Sequence, residues 1–203
     1  MGRPVLAIGG IALIGTGIAI GLGWGWPSTA EANTRITQQI HTVRFDVDSS
    51  DVTVRTEDVS ATVVRQRLSY HLRSRPDDAF QVDGDQLVLT ECGHNCSAQF
   101  EVVVPRGTAV TGAVTSGKIE LEAPGTVDVR ATSGEIDITL EAPQDVRATA
   151  TSGEINLTVP NDRYRVAGDT GSGDRRIDVA TDPAAPHLLD LNSTSGDVTV
   201  RPS

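Results

Sequence analysis

Apolar residues occupy every second position through most of the chain after residue 40, and this alternation is typical of strands rather than helices. The stretch around residue 152 shows the pattern: Val146, Ala148 and Ala150, then Ile155, Leu157 and Val159. Successive side chains of a strand point to opposite faces, so a period of two places all the apolar residues on one face. The sequence therefore predicts an all-β domain whose strands each bury one face.

A Ser-Gly dipeptide interrupts the alternation between two such strands, and it recurs through the second half of the chain. The copies are Ser116-Gly117, Ser133-Gly134, Ser152-Gly153, Ser172-Gly173 and Ser195-Gly196. Their serines are 17, 19, 20 and 23 residues apart. A repeat this short cannot bury its apolar face alone, so it must stack on its neighbours. We predict a β-solenoid-like stack of two-strand repeats. An antiparallel meander is the alternative, although its hairpins would favour Asn-Gly or Asp-Gly at the bend.

The same patterns divide the chain into an anchor and one domain. We assign residues 1–4 to a cytoplasmic N-terminus, 5–26 to a transmembrane helix, 27–40 to a linker and 41–203 to the β-strand-repeat domain. The domain is less regular over 41–110 and regular over 111–203. The irregular part contains a predicted hairpin, Phe80 to Leu89, that turns at Asp83-Gly84. Because the terminal coil of a solenoid needs cover, we expect this part to be a cap.

The N-terminal apolar run sets the expected location. Val5 to Trp26 is an uncharged run of 22 residues, and about 20 suffice to span a bilayer. Arg3 precedes the run and Glu31 is the first charge after it, so the β domain is expected outside the cytoplasm. Cleavage of a secretory signal near Ala32 is the alternative, because Ala30-Glu31-Ala32 has the small-x-small form of such sites. The sequence thus predicts a single-pass cell-membrane protein, or else a secreted one.

The two cysteines agree with that location. Cys92 and Cys96 lie close together between two strand-like stretches, and an oxidising compartment would allow them to form a disulfide. A metal site on Cys92, His94 and Cys96 is an alternative, but it lacks a fourth ligand at zinc spacing. Free thiols are the remaining one.

Charge narrows the partners. The formal net charge is −10, and the chain from Thr111 onward carries 8 basic and 15 acidic residues. Nucleic acid is an improbable partner for such a surface. The position after the Ser-Gly bend is acidic in most repeats: Glu135, Glu154, Asp174 and Asp197. Stacked coils would align these acids as a candidate ligand edge. A solvated edge that discourages aggregation is the plainer interpretation, and a stripe that binds a divalent cation or another ligand is the alternative.

Known catalytic patterns do not account for the chain. Asp169-Thr170-Gly171 has the form of an aspartic-protease half-site, but that chemistry needs two such carboxylates and the sequence has one copy. Asp46 to Glu57 resembles a calcium loop, yet Asp51 stands where that loop requires glycine. Both segments coincide with copies of the bend. We therefore predict no enzyme, no cofactor and no metal site.

The Thr-Ser-Gly-[Glu/Asp/Lys]-[Ile/Val] repeats resemble a bacterial family named putative adhesin, or toast-rack, from about Val43 to the C-terminus. The resemblance implies a β-strand-repeat domain, often behind a membrane segment, that acts at the cell surface. It supplies no catalytic residues. The chain departs from the family pattern at Gly171 to Arg176, where we expect extra residues to displace one coil outward.

These observations lead to a functional hypothesis. The chain is expected to be a non-catalytic, membrane-tethered, extracytoplasmic domain that acts by surface contact in adhesion or envelope sensing, with a cell-envelope protein or glycan as partner. A filament-forming structural solenoid and homo-oligomer is one alternative, since the chain ends at Pro202-Ser203 directly after its last strand. A secreted carbohydrate-active enzyme is the second.

Overall fold

The computed structural model describes residues 12–13, 28–71 and 76–203, and these are all strands and their connections. The transmembrane helix predicted over 5–26 lies outside the described residues, except that Ala12–Leu13 form a two-residue strand. No helix in the described part of the chain is long and apolar enough to cross a membrane. The all-β prediction is confirmed.

The strands fall into three groups along the chain. The irregular region contains β1 (Ala12–Leu13), β2 (Ser28–Ile36), β3 (Thr42–Glu57), β4 (Thr62–Tyr70), β5 (Phe80–Asp83), β6 (Gln86–Leu89) and β7 (Cys96–Pro105). The regular repeats contain β8 (Ala109–Ser116), β9 (Ile119–Glu122), β10 (Val127–Ser133), β11 (Ile136–Thr139), β12 (Val146–Ser152) and β13 (Ile155–Val159). The last group is β14 (Arg163–Ala167), β15 (Thr170–Ser172), β16 (Arg175–Ile177), β17 (Ala180–Thr181), β18 (Leu188–Ser195) and β19 (Val198–Pro202).

Each repeat is one coil that gives a strand to each of two facing parallel sheets. We number the coils in chain order: coil 1 is β3, coil 2 is β8 and β9, coil 3 is β10 and β11, coil 4 is β12 and β13, coil 5 is β14 to β16, and coil 6 is β18 and β19. The strand before the bend joins the first sheet and the strand after it joins the second sheet. The alternating apolar residues meet between the sheets, where Ile136, Ile138 and Val129 are at most 1% exposed. The predicted solenoid-like stack is therefore observed, and the pairing is parallel, unlike that of a meander.

The coils do not stack in chain order. Coil 4 pairs with coil 6 in both sheets, and coil 5 pairs with the other edge of coil 6. The order in space is thus 1, 2, 3, 4, 6, 5. The sequence predicted that coil 5 would bulge outward at Gly171 to Arg176, whereas the whole coil occupies the end of the stack. The chain terminus at Pro202-Ser203 accordingly lies inside the stack and not at its open end.

Glycine at the bend is required by the close approach of neighbouring coils. An ideal Cβ at Gly153 would lie less than 3.0 Å from the carbonyl oxygen of Gly134, and one at Gly134 would meet the carbonyl oxygen of Gly117 in the same way. The φ angles of these glycines lie between 141° and 157°, a region that residues with side chains rarely adopt. Gly196 has the same relation to Gly153, so this contact extends along the stack in spatial order.

The opposite end of the stack is covered by antiparallel strands. The second sheet continues beyond coil 1 through β7, β4 and β2, and the first sheet ends in the β5–β6 hairpin. The predicted cap and hairpin are confirmed, with Gly84 in the turn at φ 59°. Residues 28–36, which the sequence placed in a linker, form β2. This strand is short of apolar residues because only Thr34 and Ile36 are fully buried.

Coil 5 closes the stack with an arginine where the other coils place an apolar side chain. Arg175 pairs with Val198 in the row that contains Ile119, Ile136 and Ile155. Its guanidinium group donates hydrogen bonds to the carbonyl oxygens of Gly168 and Ala167 on the other strand of the coil (3.0 Å to Ala167). An inward-pointing charge discourages further strand pairing at a sheet edge. Nearby, Tyr164 fills the end of the core at 0% exposure.

We expect Gly153→Ala to destabilise the domain by roughly 3 kcal/mol or more, because an unfavourable φ angle and overlap with Gly134 act together. Gly84→Ala is the matched control. Its Cβ meets no atom within 4 Å, so the cost should be only about 1 kcal/mol for the left-handed backbone. Chemical denaturation of both variants measures the difference. Equal losses would show that coil contact does not require glycine.

Removal of the terminal charge should make the stack associate. Arg175→Ile completes the apolar row at the open end, so we expect concentration-dependent oligomers by analytical ultracentrifugation. Arg176→Ile is the control, because its side chain is exposed on the outer face and pairs with Asp178 at 2.6 Å. If the Arg175 variant stays monomeric at high concentration, the arginine is not what blocks further stacking.

Candidate functional site

The bends of successive coils form one edge of the stack, which we call the bend corner. Register aligns Ser49, Ser116, Ser133, Ser152, Ser195 and Ser172 across the coils. These serines are exposed, as are the threonines before them at 115, 132, 151 and 194. The backbone between coils is hydrogen-bonded here, for example from Gly153 N to Ser195 O at 2.9 Å. The Ser-Gly residues are therefore structural bends that also present two rows of hydroxyl groups.

The residue after each bend glycine forms a third row. In spatial order this row is Asp51, Lys118, Glu135, Glu154, Asp197 and Asp174. The four candidate ligand-edge acids are thus consecutive, although coil 6 precedes coil 5 in space. Adjacent strands are about 4.8 Å apart. We call the four acids from Glu135 to Asp174 the acidic row.

Only the first acid of this row has a cation beside it. Lys118 Nζ lies 3.6 Å from Glu135 and 2.6 Å from Asp137. The hydrogen bond to Asp137 raises the pKa of Lys118 above its usual value, partly opposed by burial. Asn156 Nδ2 also donates to Glu135 and Asp137, at 3.2 and 3.1 Å. Glu154 is exposed beyond this cluster, so the negative charge is concentrated toward coils 4, 6 and 5.

The aspartates of this corner have a structural role that sequence reasoning missed. Asp197 Oδ1 accepts a hydrogen bond from the backbone N–H of Asp174 at 2.8 Å, and Asp51 Oδ1 accepts one from Lys118 N at 3.0 Å. In each case the carboxylate serves the bend of the neighbouring coil. The choice of aspartate over glutamate was the available signal, because the shorter side chain keeps its oxygens near the backbone.

The segments that resembled known sites lie within ordinary coils. Asp46 to Asp51 belongs to the continuous strand β3, and Asp169 precedes β15 with its Oδ1 accepting from Thr170 N at 2.8 Å. Within residues 28–71 and 76–203, no three His, Cys, Asp or Glu side chains form a group that could hold a metal ion.

A groove of about 390 Å³ lies at the opposite corner of the stack and was not foreseen from the sequence. It is lined by charged side chains, among them Arg55, Arg106, Glu122 and Glu141. Arg55 pairs with Glu122 at 3.2 Å, and Arg106 pairs with Glu141. The walls therefore neutralise one another, and no group in the groove is poised for proton transfer.

Cys92 and Cys96 form the predicted disulfide, with their Cα atoms 5.7 Å apart. Cys96 pairs with Tyr70 of β4, and His71 N donates to Asn95 O at 3.2 Å. Both sulfurs are bonded to each other, so the alternatives of a Cys-His-Cys metal site and of free thiols are wrong. The loop lies beside the start of β2, because Ser28 also pairs with Tyr70.

Comparison with known proteins identifies the repeats. The family model described as Toastrack DUF4097 matches residues 28–201, which confirms the resemblance. A putative cell adhesion protein from Clostridium sporogenes shares the fold, with a TM-score of 0.61 and 9% identity over 87% of this chain and 100% of that one. A putative adhesin from Bacteroides fragilis aligns at a TM-score of 0.40 and 11% identity over 87% and 99% of the two chains. No curated protein matches the sequence.

We expect Glu154→Gln to stabilise the domain by a few tenths of a kcal/mol, because it removes repulsion from the acids on either side. Lys118→Gln should destabilise it by less than about 1 kcal/mol, as for other partly exposed ion pairs. Both differences should shrink as salt is added. The raised pKa means that the lysine contribution is complete at neutral pH and disappears only as the pH rises past that of folded Lys118, above 10.5. Thermal unfolding at low and high salt measures both; opposite signs or insensitivity to salt would contradict the charge argument.

Proposed function

Because the chain belongs to the Toastrack DUF4097 family, we propose that it is a non-catalytic, extracytoplasmic domain, tethered to the cell membrane, that acts by surface contact in adhesion or envelope sensing. The observation that carries the proposal is the bend corner. There, hydroxyl and carboxylate groups repeat in register from coil to coil on a rigid parallel stack.

The spacing of this surface suits an extended partner. Five intervals of about 4.8 Å give a corner some 24 Å long, which is larger than a small-molecule site. The repeated hydroxyl groups can exchange hydrogen bonds with a polysaccharide, and the acidic row can attract a basic protein segment. The contact would be broad and would depend on many weak interactions.

The tether rests on the sequence outside the described residues. The apolar run over 5–26 is long enough to span a bilayer, and Arg3 favours a cytoplasmic N-terminus. The Cys92–Cys96 disulfide supports an oxidising compartment for the domain. A secreted form cleaved near Ala32 would lose the first residues of β2, which pair with β4 over Ser28–Ile36. This pairing favours the tethered form.

The two alternatives receive less support. A filament built through the ends would have to overcome Arg175 at one end and the antiparallel cap at the other. A carbohydrate-active enzyme usually has aromatic platforms for the sugar, but Tyr164, the aromatic residue of the regular coils, is buried at 0% exposure.

The acidic row can be tested directly with the domain from Ser28 onward and fragments of the native envelope. We expect the domain to sediment with the fragments, and Glu154→Gln/Asp174→Asn to weaken this severalfold. Glu57→Gln/Asp58→Asn is the matched control, because it removes the same charge from exposed residues at the opposite corner.

The outcomes separate two parts of the proposal. Equal binding by both double variants would exclude the acidic row as the contact, while leaving surface contact in place. Failure of the unaltered domain to sediment with any envelope fraction would contradict the function itself.

A further inference from the structure

The start of the first cap strand lies at one edge of the domain, together with the disulfide loop. Ser28 pairs with Tyr70, and Tyr70 pairs with Cys96. Only Pro27 separates Ser28 from Trp26, the last residue of the apolar run. If that run is in the membrane, as the proposed function requires, this edge must lie next to the bilayer surface.

The edge differs in charge from the rest of an acidic domain. Its exposed and half-exposed residues carry no acidic side chain; they are Ser28, Thr29, Ser69, Tyr70, His71, Gly93, His94, Asn95 and Ser97. The nearest acids are engaged in contacts. Glu31 pairs with Arg67 at 2.6 Å, and Glu91 accepts a hydrogen bond from Asp48 N at 2.9 Å. An uncharged surface with a tyrosine and two histidines is compatible with a lipid headgroup layer, where aromatic residues with a polar tip are favoured.

The loop is also held in place. The Cys92–Cys96 disulfide closes it, and the hydrogen bond from His71 N to Asn95 O fixes it to the end of β4. Asn95 and Gly93 have φ angles of 57° and 98°, so the chain reverses sharply between the two cysteines. The result is a short, rigid projection whose tip is His94.

We propose that this projection, residues 92–97 with Tyr70 and His71, is a membrane-contacting foot of the domain, and that its partner is the headgroup layer of the bilayer. The proposal rests on the tether in the proposed function. The acidic row begins at coil 3 and continues to the far end of the stack, and anionic headgroups repel it. The foot therefore holds the N-terminal cap against the lipid while the distal coils point away.

Lipid cross-linking in the full chain tests the orientation without adding thiols. The chain is reconstituted into vesicles of equal parts phosphatidylcholine and phosphatidylglycerol, with a photoreactive benzoylphenylalanine in place of His94. Matched probes replace Thr194, which lies on the bend corner of coil 6, and Ser203 at the chain end. After irradiation, mass spectrometry counts lipid adducts. We expect adducts at position 94 to exceed those at the other two positions severalfold.

A second pair of variants tests the charge argument. Ser97→Glu adds a negative charge to the foot and should reduce adducts at position 94 severalfold. Ser195→Glu adds the same charge at the distal bend corner and should leave them unchanged. Melting curves establish that both variants remain folded.

Each result has a distinct meaning. Retention of the protein on vesicles through an alkaline carbonate wash, with equal adducts at all three positions, overturns the foot and leaves the tether standing. Strong adducts at both 94 and 194 also overturn it, because the whole corner would then lie on the lipid. Loss of the protein in the wash overturns the tether and the foot together.

Discussion

The close contact between neighbouring bends is the constraint on which the rest of this structure depends. At each bend a glycine lies against the carbonyl oxygen of the coil before it, as Gly153 lies against Gly134 and Gly196 against Gly153. A side chain at this position would force the coils apart and break the parallel hydrogen bonds on both sides. With the contact in place, strands of both sheets stay in register over all six coils, and apolar side chains fill the space between them.

That register also determines the surface. Because equivalent residues stack directly, any residue type repeated in the sequence becomes a row, and the acids after the bend become a line of like charges. The stack tolerates this arrangement because the row is exposed to water and because Lys118 and Asn156 neutralise or bond its first member. The same periodicity makes the corner a plausible contact for extended polymers, and it restricts an uncharged surface to the cap, where the repeats stop.

Much of the fold could be predicted from local patterns. The period of two around Ser152-Gly153 indicates paired strands, the repeat length requires stacking, and Asp83-Gly84 indicates a hairpin, because each signal depends on residues close in the chain. Cys92 and Cys96 are close enough in sequence for their pairing to be foreseen. Strand β2 was missed because an edge strand of the cap buries few side chains, so its alternation is weak. The roles of Asp51 and Asp197 were missed because their hydrogen bonds join different coils.

The sequence by itself determined that this protein is a stack of short β repeats, where its bends lie and which residues face the core, since these follow from side-chain periodicity and from glycine. The tertiary structure alone decided the order of the coils. Coils 5 and 6 carry similar bends, and either could pair with coil 4 as far as local pattern is concerned. Coil 6 has the apolar residues Val198 and Val200 for a place with neighbours on both sides, whereas coil 5 has Arg175, which is stable only at an end. That choice depends on which edge remains open after all other strands have paired, and no local pattern contains this information.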